Sequence, residues 1–134
     1  MKKNLKMTPE GTKDFLFAEC SAMDYICTSI EKVFVKGGFK RVITPALEFY
    51  DVFSIPSSGI SQESMFKTTD NKGRLLVARP DSTLPIARMV STRLKNNTLP
   101  VRLYYKQAVY RNNPSLAGRR NEFRQMGVEL LGAQ

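Results

Sequence analysis

The residues with the most chemical content lie between Arg79 and Glu129. Arg79-Pro80-Asp81-Ser82-Thr83 sets a guanidinium, a carboxylate and two hydroxyls side by side. Tyr110-Arg111 and Gly118-Arg119-Arg120-Asn121-Glu122-Phe123-Arg124-Gln125 add cations, aromatic rings and an amide, and Glu129 follows. Asp81 offers a carboxylate to a cationic amine, with the Thr83 hydroxyl beside it. Arg111 offers a planar, permanently charged fork to a carboxylate or a phosphate. Gln125 both donates and accepts, so it suits either end of a ligand. Glu129 lies four positions after Gln125 and shares its face of a strand. Together these groups suit a small ligand carrying both charges, such as an amino acid or a nucleotide.

Plainer roles stand beside that one. Asp81 at a helix start is a favoured cap for free backbone N–H groups. Arg111 and Glu129 would also serve as a cross-strand ion pair, worth roughly 0.2–1 kcal/mol. Phe123 would serve as a core residue, and Arg119 and Arg120 as solvated loop charges. A cap and a ligand contact can be one residue. No nucleophile or general base accompanies the set: the chain has no histidine, and both cysteines lie far upstream.

The elements that must position these groups follow from apolar periodicity and turn chemistry. Ala22, Ile26, Ile30, Val33 and Phe34 fall at helical spacing from about Ala18 to Lys36, and Gly37-Gly38 ends that helix. Phe39 to Thr44 reads as a strand stopped by Pro45, Glu48 to Phe53 as a short helix or turn, and Ser54 to Gln62 as a loop. Met65–Thr69 and Arg74–Ala78 flank Asp70-Asn71-Lys72-Gly73, a hairpin signal. Pro80 to Pro85 opens a second helix, with Ile86, Met89, Val90 and Leu94 as its buried stripe. Val101–Arg111 and Glu122–Leu131 read as two long strands joined by a loop. Strands that follow one another without helices favour antiparallel pairing, so the class is α+β, an antiparallel sheet flanked by helices. The stop at Gln134 directly after a strand suggests a truncated piece of a larger domain.

Composition sets the outer bounds. At 134 residues and 42% apolar content, the chain suits one globular domain or part of one. No apolar run approaches the roughly 18 residues of a membrane span, and the charged start lacks a signal-peptide core. A cytoplasmic protein with no membrane partner is the plain expectation. Cys20 and Cys27 sit about 10 Å apart along the predicted helix, beyond disulfide reach, and read as small core residues. Nothing calls for a metal or other cofactor. The net charge of +9 admits a basic nucleic-acid-binding module, though no aromatic stacking platform accompanies it.

Spaced motifs add a resemblance over nearly the whole chain, from Pro9-Glu10-Gly11-Thr12 to Gly132. Gly38-Phe39 through Thr44-Pro45 to Glu48 is similar to the first signature motif of class II aminoacyl-tRNA synthetases. Tyr110-Arg111, Gly118-Arg119 and Glu122-Phe123-Arg124-Gln125 are similar to the second. The chain resembles the histidyl branch of that class, and within it a non-catalytic group, the regulatory subunits of ATP phosphoribosyltransferase. The motifs that point there are Arg79 to Arg88, Arg102-Leu103-Tyr104-Tyr105 and Gly127-Val128-Glu129-Leu130-Leu131-Gly132.

The resemblance implies a class II synthetase-like core of which residues 1–134 are the N-terminal part. The sheet would continue beyond Gln134 and there supply a third motif with a catalytic arginine. It implies a histidine site at Asp81, Thr83, Arg111, Gln125 and Glu129, and a degenerate nucleotide site at Asn113 and Phe123. In the synthetases a glutamate stands at the Asn113 position and accepts from the adenine amino group, while Phe123 matches the residue that stacks on adenine. Asn113 carries no charge, and Asp81 is one methylene shorter than the branch's usual glutamate; both departures weaken adenylate formation. The implied role is a non-enzymatic subunit partnering a catalytic short-form ATP phosphoribosyltransferase, with histidine as feedback effector. A homodimer within a hetero-oligomer is implied by the first motif, which usually lies at a dimer interface. The alternative is an N-terminal fragment of a true histidyl-tRNA synthetase.

Overall fold

The computed structural model describes residues 5–113 and 118–133. Helix α1 runs Phe17–Lys36 and ends in a Schellman motif. Gly38 takes the left-handed φ of 78°, its N–H bonds to the Val35 carbonyl, and that of Phe39 to the Phe34 carbonyl. A β-carbon would be strained there, which is why a glycine follows the last turn. The buried stripe differs from the periodicity. Cys27 is buried while Ile26 and Val33 stay exposed, because α1 carries more apolar positions than one face can cover.

Strand β1 is only Lys40–Arg41, shorter than expected, and pairs parallel with β5 (Val101–Tyr110). The intervening chain holds a second sheet and a helix, a connection long enough for a parallel crossover. The extended segment stops hydrogen-bonding as a strand because Thr44 is taken by the Gln107 side chain and Pro45 has no N–H to donate. Strand β6 (Glu122–Leu131) pairs antiparallel with β5 along its whole length, giving the order β1-β5-β6. Residues 48–53, expected as a short helix or turn, divide into the end of β2 (Leu47–Phe49) and a short 3-10 helix at Tyr50–Val52.

The second sheet has the order β2-β4-β3, with β3 at Lys67–Thr69 and β4 at Leu75–Ala78, all antiparallel. The expected hairpin forms. Its turn is held by Asp70, whose Oδ1 accepts from the N–H groups of Lys72 and Arg74 and whose Oδ2 accepts from Arg74 Nε. These bonds, the Arg74 N–H foremost, hold the Asp70 carboxyl below its ordinary value. A lowered carboxylate contributes stability above its unfolded value and loses it as pH falls through the folded one. Asp70 is therefore expected to titrate below 3.8 in a carboxyl NMR titration. The Lys72 and Arg74 amides should gain exchange only once that titration begins.

Helix α2 (Thr83–Arg93) lies on the face of β5 opposite to α1. Its Ile86 packs with Leu103 and Tyr105, joined by Met89, Val90 and Leu94, the stripe the periodicity indicates. On the other face Phe34 meets Tyr104, and Lys106 pairs with Glu31 at 2.7 Å. Phe53, Met65 and Val77 form a separate core under the second sheet. Arg79 ties the two sheets together: buried, it donates from Nε to the Ala108 carbonyl and from Nη1 to that of Thr44, both at 2.7 Å. No helix among the described residues is long and apolar enough to cross a membrane. Cys20 and Cys27 are free, half-buried and buried respectively.

Candidate functional site

Alternation along the β5–β6 ladder decides which polar groups meet. Leu103, Tyr105, Gln107 and Val109 stand opposite Glu129, Gly127, Gln125 and Phe123, and this shared face lies under α2. The start of α2 hangs over it. Asp81 Oδ1 accepts from the Thr83 N–H at 2.7 Å, so Asp81 does close the helix start. The N-cap position itself is Ser82, whose hydroxyl faces inward and accepts from Gln107 Nε2 at 3.0 Å. Thr83 Oγ1 donates to Glu129 Oε1 at 2.8 Å. Asp81, Thr83 and Glu129 are thus brought together from distant parts of the chain.

Arg111 reaches the same turn from the other end. Its Nε donates to the Pro80 carbonyl at 2.8 Å, and its guanidinium lies 5.4 Å from the Phe123 ring centroid. The Arg111 N–H bonds to the Asn121 carbonyl, whereas Glu129 stands opposite Leu103. The two are therefore separated by the ladder from Leu103 to Arg111, at roughly 3.4 Å per residue. A direct Arg111–Glu129 ion pair is excluded by register, and among the described residues neither Asp81 nor Glu129 has a cationic partner. The turn Pro80–Thr83 spans from the cation to the carboxylates.

Gln125 lies between. Its Oε1 is buried and has no hydrogen-bond partner. A buried orphan acceptor costs on the order of 1–3 kcal/mol, so it marks a place where a donor belongs. Opposite it, Gln107 is saturated: its amide donates to Thr44 Oγ1 and Ser82 Oγ, and its Oε1 accepts from the Thr44 N–H at 3.3 Å. Gln107 was not among the expected site residues. Its signal was there in the sequence, a polar side chain at strand spacing from Arg111, on the same face. Chemically the face is a row of acceptors (Asp81, Glu129, Gln125 Oε1) ending at a guanidinium, which suits a ligand with a cationic nitrogen at one end and an anion at the other.

Asn113 belongs to a different arrangement. Its Nδ2 donates to the Arg120 carbonyl at 3.1 Å, and its N–H to Asn121 Oδ1 at 3.0 Å. Asn121 in turn is buried and donates from Nδ2 to the Glu10 carbonyl. Asn113 therefore clips the β5–β6 connection shut. Phe123 is half-buried, with its ring against the Arg111 guanidinium. A cavity of about 600 Å³ opens on the opposite side of the sheet, between α1 and β6, lined by residues such as Met23, Cys27 and Met126. It holds none of the converging acceptors, so the polar face under α2, not the larger void, is the candidate site.

Comparison with known proteins fits this geometry. The chain is 45% identical over 127 residues to the ATP phosphoribosyltransferase regulatory subunit of Clostridium acetobutylicum, covering 95% of this chain and 31% of that protein. It superimposes with a TM-score of 0.83 on a Bacillus halodurans structure described as an ATP phosphoribosyltransferase regulatory subunit/histidyl-tRNA synthetase. That match is 36% identical and covers 94% of this chain and 32% of the other. Apo histidyl-tRNA synthetase of S. aureus matches with a TM-score of 0.79 at 25% identity, over 96% of this chain and 30% of its own. The chain thus spans about a third of the length of the curated relatives it matches. The histidyl-tRNA synthetase family model matches residues 11–134. With its motifs, its fold and these matches in agreement, the chain belongs to the histidyl-tRNA synthetase family.

Proposed function

We propose that this chain is the N-terminal part of the synthetase-like core of a non-catalytic regulatory subunit of ATP phosphoribosyltransferase, and that it binds histidine on the face under α2. Asp81, Thr83 and Glu129 take the cationic nitrogens of the ligand, Gln125 accepts through its free Oε1, and Arg111 faces the carboxylate. The orphaned Gln125 Oε1 is the observation that carries the ligand site. Asn113 supports a sensor rather than an adenylate-forming enzyme, since its uncharged side chain replaces the carboxylate of the synthetases and is oriented by the bond from Nδ2 to the Arg120 carbonyl. The partner is the catalytic short-form ATP phosphoribosyltransferase subunit. Histidine acts on it by binding one state of the complex better than the other, because equal affinity shifts nothing. Exposed apolar side chains of the α1 region, Tyr25, Val33, Val35 and Ile43, support a homodimer within that assembly.

The second reading, a histidyl-tRNA synthetase, is favoured by the retained Arg111, Gln125 and Glu129. One pair of measurements separates the two. The full-length protein should bind L-histidine saturably in a calorimetric titration, yet show no histidine-dependent exchange of pyrophosphate into ATP. Measurable exchange would replace the regulatory reading with the synthetase one.

A further inference from the structure

Tyr105 is buried at 6% exposure in β5, directly opposite Gly127 of β6. Its phenol lies across that glycine. A β-carbon built on Gly127 would sit 2.5 Å from the phenol Oη and 2.7 Å from Cζ, far inside van der Waals contact. The requirement for glycine is one of space, and only a residue with no side chain lets the ring cross the strand there. Side chains alternate along β6, so Gln125 and Glu129 flank Gly127 on the same face. The hydroxyl therefore projects between the orphaned Gln125 acceptor and the Glu129 carboxylate. Burial, then Glu129, then Asp81 push the phenol up from its ordinary value, so it remains protonated at neutral pH. Among the described residues Oη makes no hydrogen bond, the nearby Asp81 and Glu129 oxygens being bonded to Thr83 instead. The side chain is buried, yet Oη is not itself sealed off, and an unbonded hydroxyl that reaches the surface of the site beside two acceptors points to a ligand group.

We propose that Tyr105 Oη contacts the cationic nitrogen of the ligand, and that Gly127 is required because it is the opening through which the phenol reaches that nitrogen. The inference rests on the reading of this face as an amino-acid site. It adds a recognition element: the phenol selects ligands that carry an amine over those that lack one.

The test compares L-histidine with imidazolepropionate, its analogue without the amine, by calorimetric titration of the full-length protein. Tyr105→Phe should weaken histidine binding by about tenfold or more, the range of a hydrogen bond to a charged group, and leave imidazolepropionate unchanged. The preference between the two ligands should narrow by that factor. Gly127→Ala should push the phenol aside and reproduce the same selective loss. If that variant does not fold, as its melting curve will show, Tyr105→Phe alone decides. Equal weakening of both ligands, or no weakening of histidine, overturns the contact. A wild-type protein that binds no histidine fails earlier, overturning the amino-acid reading and this contact with it.

Discussion

Gln125→Leu is expected to raise the thermal midpoint of the unliganded full-length protein by roughly 2–4 °C while weakening its affinity for histidine by about tenfold or more. Both effects follow from one atom. Gln125 Oε1 is buried without a partner, and replacing such a group by an apolar one of similar size removes its desolvation cost. The same atom is the acceptor a ligand N–H would use, and a hydrogen bond to a charged donor is worth about 1.5–3 kcal/mol. A residue that is costly in the empty protein and favourable in the occupied one is what a binding site requires. On the proposed regulatory role, Arg111→Ala should weaken histidine inhibition of the assembled phosphoribosyltransferase, read as a rise in the histidine concentration that halves its rate. Differential scanning fluorimetry and calorimetry together read the Gln125 variant. A lowered melting point with unchanged affinity would mean that Oε1 is packed, not waiting, and would remove Gln125 from the site.

Arg79→Ala is expected to destabilise the protein by about 2–5 kcal/mol, the cost of leaving two carbonyls without their donor. Arg79 is buried, and two separate nitrogens satisfy the carbonyls of Thr44 and Ala108. Truncation leaves both oxygens without this donor. Burial pushes the guanidinium down from its ordinary value, with Tyr110 and Glu48 acting in the opposite direction. Lysine keeps the charge but cannot reach two carbonyls with a fork, so Arg79→Lys should recover only part of the loss. Urea unfolding of wild type and both variants measures this. A loss below about 1 kcal/mol for alanine would show that Arg79 does not join the two sheets energetically.

The Arg79 role shows what was and was not legible from residues in order. Strand β6 falls at Glu122–Leu131 as its alternation indicates, and the Asp70–Gly73 turn joins two strands as its chemistry requires. These features are local, set by neighbours within a few residues. The Phe39–Thr44 strand contracted to Lys40–Arg41 because Gln107, more than sixty positions away, takes the Thr44 groups. Arg79 gave no sign of its two carbonyl partners for the same reason: both lie in other elements. Cross-strand pairing of Arg111 with Glu129 was an open alternative until register placed them at opposite ends of the ladder.

The sequence by itself determined the α+β class, the spacing of the second helix and the long strands, and the residue types able to hold a ligand with both charges. Alternation put Gln125 and Glu129 on one face without any structure. Only the tertiary structure decided that Thr83 bonds Glu129, that Gln125 Oε1 is left without a partner, and that Asn113 Nδ2 donates to the Arg120 carbonyl. Those outcomes depend on which groups from distant segments arrive at hydrogen-bonding distance, and directional bonds saturate. A donor already committed to a backbone carbonyl is lost to a ligand, and an acceptor that nothing reaches is kept for one.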